Sequence, residues 1–114
     1  MPTTTYSFGR VVLVQFPFTN FAASKKQPAI VVSNEACNSS RPDLILMALT
    51  SQFHPTALPG EHLISEWQAA GLIKPSAAKP VFFTFEQSLI LKPLGIFQLP
   101  DRDAVRAAIA AVLG

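Results

Sequence analysis

Cysteine, metal-binding clusters and charge are all scarce in this sequence of 114 residues. Cys37 is the only cysteine, so no disulfide can form within the chain, and a reducing compartment fits this best. Cys, His and carboxylate residues do not occur at metal-ligand spacing, and we expect neither a metal nor another cofactor. Because only 14% of the residues are charged and 49% are hydrophobic, the composition argues against disorder.

Membrane spans and leader sequences are also missing. The longest apolar runs, such as Val11–Val14 and Leu44–Leu49, have the length of strands and are far too short to span a bilayer. Residues 1–8 lack the basic region and apolar core of a signal peptide. We therefore expect a cytoplasmic protein with no membrane partner.

A strong excess of one charge is absent as well. The net charge is +2 and the isoelectric point is about 9.0, which gives weak support for a polyanionic partner. Any nucleic-acid site must therefore be a local patch. The sequence also lacks the P-loop, GxGxxG and GxSxG patterns of common nucleotide-binding proteins and hydrolases.

Proline, in contrast, is abundant, with ten residues spread along the chain. Each proline fixes its φ angle and removes a backbone donor, so long helices are excluded before Pro100. The absence of internal repeats and linkers predicts one domain over residues 1–114. The high apolar content also predicts surplus apolar surface, part of which we expect a second copy of the chain to cover in a homodimer.

Apolar runs between polar and proline-containing segments predict six short strands, which are Gly9–Phe16, Ala29–Asn34, Asp43–Thr50, His62–Ile64, Lys79–Phe85 and Leu94–Phe97. Pro80 is expected at the start or on an edge of its strand. The pattern makes Glu35–Pro42 a polar turn and leaves Glu86–Leu91 open between helix and strand. Ser65–Ala70 is predicted as one helical turn, with Ser65 as its cap and Gly71 as a left-handed exit.

One longer helix is predicted at the C-terminus, over Asp101–Leu113. Pro100 suits its first position, and Asp101 lies near the positive end of the helix dipole. We expect the apolar stripe of this helix to consist of Val105, Ile109 and Val112. Arg102 and Arg106 are expected on its solvent-facing side. Short strands with a terminal amphipathic helix indicate a mainly β protein built as a small barrel.

Three stretches resemble, in the same order, the PemK/MazF family of toxin ribonucleases. They are GRVVLVQFPFT at Gly9–Thr19, SKKQPAIVVSN at Ser24–Asn34 and DLILMALTSQ at Asp43–Gln52. Two further segments, Glu66–Ser76 and Ser88–Gly95, are similar to segments common in the PemK-like branch. The likeness covers almost the whole chain, and its specificity lies in the combination and order of the pieces.

This resemblance implies both a fold and an activity. The fold is an SH3-like β-barrel of the PemK/MazF/CcdB type, with short helical turns and a C-terminal helix, assembled as a homodimer. The activity is that of a type II toxin–antitoxin endoribonuclease, which cleaves single-stranded RNA sequence-specifically and without a metal by attack of the ribose 2′-OH. A cognate antitoxin protein would block the RNA groove.

The resemblance also marks candidate catalytic positions at Gln27, Lys26 and Thr50. The family has an arginine just before the Pro-Ala that opens the second strand, where this chain has Gln27. Lys26 is the adjacent cation; in an extended segment it would point away from Gln27, and in a loop it would be free to replace the arginine. A threonine at Thr50 contacts the scissile phosphate in the family, although by itself Thr50 could simply turn the chain after a strand.

Further residues are candidates for RNA binding, namely Phe16, Thr19, Lys25, Ser51 and Gln52. Phe16 could stack on a base or belong to the core, and Lys25 could contact phosphate or remain a solvated loop residue. Ser51 and Gln52 could donate hydrogen bonds to phosphate oxygens. Asn20 stands where relatives often have Asp. His54 would reach the site if its loop folds back, and His62 is expected on the surface of an edge strand.

The neutral Gln27 leaves a second functional class open. A PemK-like protein without catalytic activity would bind RNA or an antitoxin peptide through the same groove. A third reading is a poison of another protein target on the same barrel, as in relatives that bind gyrase. Cleavage of single-stranded RNA in the presence of EDTA separates the first reading from both others.

Overall fold

The computed structural model describes residues 6–15 and 26–114, and the strands in these ranges form one curled antiparallel sheet. Within them the sheet has six strands, β1 Arg10–Gln15, β2 Lys26–Val31, β3 Asp43–Thr50, β4 His62–Leu63, β5 Ala77–Glu86 and β6 Lys92–Ile96. Their order across the sheet is β4-β5-β3-β2-β1-β6. Helix α1 is Glu35–Ser40, a 3-10 turn spans Gln87–Leu89, and α2 is Leu99–Leu113. This half-barrel with one C-terminal helix confirms the predicted mainly β fold.

Both faces of the central strands are buried. One face packs Val11, Ile30 and Met47 against Phe97 and Val105. The opposite face forms a second cluster, consisting of Val12, Val14, Ala29, Val31, Leu44 and Leu46. Side chains of a strand alternate between faces, so continuous apolar runs are what a sheet covered on both sides requires. The same apolar runs fix β3 at the predicted residues.

The start of β2 and the segment that follows this strand differ from the predictions. Strand β2 begins at Lys26 rather than Ala29, because the residues before Pro28 also pair with β1. Residues 35–40 form α1 instead of a polar turn. This helix is capped by the Asn34 side chain, which accepts from the Cys37 N–H at 2.9 Å. Its buried Asn38 accepts a hydrogen bond from the Ser33 hydroxyl and donates to the Tyr6 carbonyl at 2.7 Å.

Strand β5 contains a bulge. Met47 of β3 pairs with Phe82 and Leu49 pairs with Ala78, so a step of two residues on β3 faces a step of four on β5. Pro80 therefore lies inside β5 rather than at its start. The missing proline N–H is tolerated because the ladder is interrupted there, and because β4 pairs with Ala77 and Ala78, upstream of the proline.

Two glycines let the segment after β4 approach β6. Gly71 has φ +81°, which confirms the predicted left-handed exit. A Cβ on Gly71 would lie 2.1 Å from the Leu94 carbonyl oxygen, and one on Gly95 would lie 2.5 Å from the Ala70 carbonyl. Only glycine fits such a contact between two backbones. The segments Glu66–Ser76 and Ser88–Gly95, which carry part of the family resemblance, therefore meet at these two glycines.

Helix α2 is attached to the sheet by a buried carboxylate. It begins at Leu99, so Pro100 takes its second position. Asp101 is completely buried and accepts four hydrogen bonds, from the His62 Nε2, the Ser65 N–H and hydroxyl, and the Glu66 N–H, at 2.7–3.0 Å. His62 lies on an edge strand as predicted, but its side chain is mostly covered rather than on the surface. The predicted Ser65 cap is also wrong, because Ser65 donates to Asp101.

Burial raises the pKa of the Asp101 carboxyl, but hydrogen bonds from Ser65, His62 and Glu66 outweigh burial and lower it below the ordinary 3.8. Of the two α2 side chains predicted to face water, Arg106 is exposed as predicted, whereas Arg102 is not. Arg102 is half-buried beside Gly9, and the Arg106 guanidinium lies 4.2 Å from the centre of the Phe8 ring. At the far end Val112 is 42% exposed, so the apolar stripe stops before the helix does. Among the described residues, no helix has the length and apolar composition needed to cross a membrane.

Candidate functional site

The ends of three neighbouring strands lie together at one end of the sheet. Because β5, β3 and β2 are adjacent and antiparallel, the start of β2, the end of β3 and the start of β5 lie side by side. A cavity of about 490 Å³ opens there. Strand ends and the loop before β5 form its wall, lined by Lys26, Gln27, Pro28, Leu49, Thr50, Ser51, Gln52, Leu72, Ile73, Lys74, Ser76 and Lys79. This cavity is called the groove below.

The groove brings together five residues that the sequence analysis singled out, namely Lys26, Gln27, Thr50, Ser51 and Gln52. Their roles in RNA binding and catalysis stay predictions. Three others, Phe16, Thr19 and Lys25, lie outside the described residues, as does Asn20. His54 is exposed and does not line the groove. Lys74, Ser76 and Lys79 were not predicted.

Gln27 and Thr50 both line the groove, at the start of β2 and the end of β3. The ladder between these antiparallel strands ends at the pair Ala29 and Ala48, and Gln27 and Thr50 each lie two residues beyond it. Lys26 is the first residue of β2, and it borders the groove with Gln27 although strand alternation would separate them. Lys26 is exposed, whereas Gln27 is half-buried.

The Thr50 hydroxyl takes part in a turn. It accepts a hydrogen bond from the Gln52 N–H at 3.1 Å and donates to the Gln52 carbonyl at 3.2 Å. The turn-forming role considered for Thr50 is therefore present in the structure. It also holds Oγ at the groove, because the hydrogen bond from the Gln52 N–H fixes the position of the oxygen. A ligand oxygen near Thr50 would compete with the Gln52 carbonyl for that proton.

The groove has a positive local charge. Three lysines line it, Lys26, Lys74 and Lys79, and none of its described lining residues is acidic. No ion pair or hydrogen bond joins these three side chains to another residue in 6–15 or 26–114. In this way a chain of low net charge still presents a patch suited to a polyanion. In the same described ranges, no three His, Cys, Asp or Glu side chains form a cluster that could hold a metal ion.

Sequence reasoning missed Lys74 and Lys79 for different reasons. Lys74 belongs to the segment Glu66–Ser76, which was used only as support for the family resemblance. Lys79 opens the bulge before Pro80, and a bulge has no signature in a single sequence beyond the proline itself. The signal available for Lys79 in the sequence was a cationic residue directly before a proline within a predicted strand.

Comparisons with known proteins agree with this fold. A family model described as a PemK-like, MazF-like toxin of type II toxin–antitoxin system matches residues 7–113. A mycobacterial endoribonuclease solved in complex with its cognate antitoxin superposes with a TM-score of 0.78 at 17% identity, covering 96% of this chain and 95% of that one. A second mycobacterial endoribonuclease structure gives a TM-score of 0.76 at 17% identity, covering 97% and 93%. No sequence among the curated proteins matches the chain.

Proposed function

Because the chain belongs to the PemK-like, MazF-like toxins of type II toxin–antitoxin systems, we propose that it is an endoribonuclease that cleaves single-stranded RNA. The reaction is sequence-specific and independent of metal ions. The observation that carries this proposal is the groove, which is lined by Gln27, Thr50 and three lysines that form no ion pair within the described residues. The structural similarity to two mycobacterial endoribonucleases supports it.

The proposed reaction is an intramolecular displacement at phosphorus. The ribose 2′-oxygen loses its proton and bonds to the adjacent phosphorus, the P–O5′ bond breaks, and the 5′-oxygen takes up a proton. The products are a 2′,3′-cyclic phosphate and a free 5′-hydroxyl. The phosphorane on the way carries extra negative charge, which preorganised donors stabilise. The Gln27 amide and the Thr50 hydroxyl donate to its oxygens, and Lys26 supplies the nearby positive charge.

Gln27 makes this a slow ribonuclease. An arginine would offer a charged, bidentate fork at the phosphate, whereas glutamine offers a neutral amide. Loss of one preorganised donor of an oxyanion costs on the order of a hundred- to a thousandfold in rate. Lys26 compensates in part for the missing charge, because it precedes Gln27 directly and lines the same groove.

The same proposal covers partners and location. One of the mycobacterial endoribonucleases was solved with its cognate antitoxin, and we expect a cognate antitoxin protein to occupy the groove of this chain.

We also expect a homodimer in the cytoplasm. The homodimer is supported by large apolar side chains that remain exposed on the surface, among them Ile45, Leu89, Leu91 and Leu99. Light scattering at micromolar concentration should report twice the monomer mass, and a clean monomer would contradict the dimer.

A second candidate function is binding without catalysis, of RNA or of an antitoxin peptide. Two observations favour it, the neutral Gln27 and the engagement of the Thr50 hydroxyl with Gln52. Incubation with single-stranded RNA in EDTA distinguishes the two functions. The ribonuclease yields fragments with cyclic phosphate ends, and RNA with 2′-O-methyl groups stays intact. Binding of both RNAs with cleavage of neither, even after Gln27→Arg, would establish the non-catalytic function instead.

A further inference from the structure

Two cations of the groove, Lys74 and Lys79, lie outside the positions that the family resemblance marks. Lys79 is on β5 and Lys26 is on β2, and β3 with Thr50 lies between these strands. Thr50 pairs with Ala77, two residues before Lys79, so Lys79 and Lys26 lie on the two strands that border the strand of Thr50. A single strand of nucleic acid over Thr50 would therefore have a cation on each side.

The backbone that carries Lys74 is held in place on both sides. The Ser76 hydroxyl donates to the Lys74 carbonyl at 3.0 Å, and the Ser76 carbonyl accepts from the Ile64 N–H at 3.0 Å. Ser76 and Leu72 are buried, while Lys74 is exposed. The start of the segment is fixed by the backbone contact of Gly71 with Leu94. Lys74 thus extends from a rigid wall, which reduces the entropy lost when it binds a ligand.

The bulge in β5 places Lys79 at the groove. Ala77 and Ala78 are both buried, and the chain then turns outward over the next residues, where Lys79 is exposed. In a regular strand Lys79 would share a face with the buried Ala77. Bulges of this kind often redirect a side chain beside a functional site. The interruption that accommodates Pro80 is thus also what frees Lys79 to line the groove.

The charge on these lysines contrasts with that on two arginines that have acidic neighbours. Arg41 is paired with Asp43 at 2.9 Å, and Arg106 lies 3.8 Å from Asp103. In the described part of the chain, Lys74 and Lys79 have no such partner. Uncompensated cations around a concave site attract a polyanion and release its counterions on binding.

We propose that Lys74 and Lys79 are RNA-binding residues that contact the backbone phosphates beside the scissile one. This inference rests on the proposed function. It assigns affinity and salt dependence to these two lysines, while Gln27 and Thr50 act on the reacting phosphate. Part of the charge that the family arginine would bring is thus supplied from the other side of the groove, where it holds the strand without touching the phosphorane.

The test measures binding of a fluorescein-labelled 2′-O-methyl oligoribonucleotide of mixed sequence and about twelve nucleotides, within the usual size of a single-strand site. This probe lacks the 2′-OH nucleophile, so binding is observed without cleavage. The variants are Lys74→Gln, Lys79→Gln and the double substitution. Lys92→Gln is the matched control, because Lys92 is an exposed lysine of β6, at the opposite end of the sheet from β4 and β5.

Each groove substitution should weaken binding about fivefold at moderate salt. It should also make the negative slope of log affinity against log salt less steep by about 0.7, as expected for the loss of one phosphate contact to a single strand. The double variant should lose about twice that slope. Lys92→Gln should stay within twofold of wild type. In cleavage assays KM should rise with kcat little changed, which a merely structural role would not produce.

Two failures are distinguishable. If wild type cleaves or binds RNA and both groove variants behave like Lys92→Gln, this inference is overturned and the proposed function survives. If wild type neither cleaves RNA nor binds the probe, the proposed function fails, and the inference fails with it. Variants that bind RNA normally but lose binding to an antitoxin peptide would also overturn it, because the lysines would then belong to a protein interface.

Discussion

Charged side chains are used in opposite ways at Asp101, which is buried beside β4, and in the groove. At Asp101 a buried carboxylate is saturated, with four donors from His62, Ser65 and Glu66. In the groove Lys26, Lys74 and Lys79 make no ion pair within the described residues. A buried carboxylate that accepts all its hydrogen bonds holds two parts of a fold together, because those bonds compensate the free-energy cost of removing the charge from water. Unpaired surface charge adds nothing to the fold and is available to a partner.

The contrast predicts that the Asp101 cluster sets stability. Asp101→Ala should lower the free energy of unfolding by about 3 kcal/mol, since four donors lose their acceptor in a buried site. Urea denaturation measures this effect. Asp103→Ala is the control on the same helix, where an exposed carboxylate lies 3.8 Å from Arg106 and should contribute under about 1 kcal/mol. Equal losses in the two variants would break the contrast.

The groove should behave in the opposite way, with effects on activity and little effect on stability. Thr50→Ala in the background of Gln27→Arg should lower RNA cleavage about tenfold, which corresponds to about 1.4 kcal/mol, because in the proposed mechanism the hydroxyl donates to the reacting phosphate. Ser51→Ala is the neighbouring control and should change cleavage less. A Thr50 variant that unfolds more easily but cleaves as before would assign Thr50 to the turn alone.

Acid titration sharpens the same comparison. The pKa of Asp101 is lowered in the folded state, so its contribution to stability is complete above the unfolded value of about 3.9 and is lost as pH falls through the folded value. The difference in unfolding free energy between wild type and Asp101→Asn should therefore be constant near neutral pH and shrink below about pH 4. A difference that grows on acidification would contradict the depressed pKa.

The sequence predicted the strands better than the links between them. Strand β3 was predicted at its observed ends because an apolar run lies between Pro42 and the polar residues after Thr50. Helix α1 was missed because tertiary hydrogen bonds of Asn38 hold it, and its own composition is polar. The contact between His62 and Asp101 joins residues 39 positions apart, and neither residue carries a local signal for it.

The candidate site divides in a similar way. Gln27 and Thr50 could be found from motif order, and the fold then brings both to the groove. Lys79 reaches the groove through a bulge, and Lys74 through a loop fixed by Gly71 and Ser76. Both depend on packing across the fold, which periodicity along the chain does not encode.

One measurement tests the central claim, that the groove at Gln27 and Thr50 is where RNA is cut. Initial rates of single-stranded RNA cleavage in EDTA are compared for wild type, Gln27→Arg and Lys26→Ala. The account predicts slow cleavage by wild type, a gain of about tenfold or more for Gln27→Arg through a charge-assisted phosphate contact, and a loss for Lys26→Ala. If neither substitution changes cleavage or RNA affinity, the groove is not the site and the assignment of these residues is wrong.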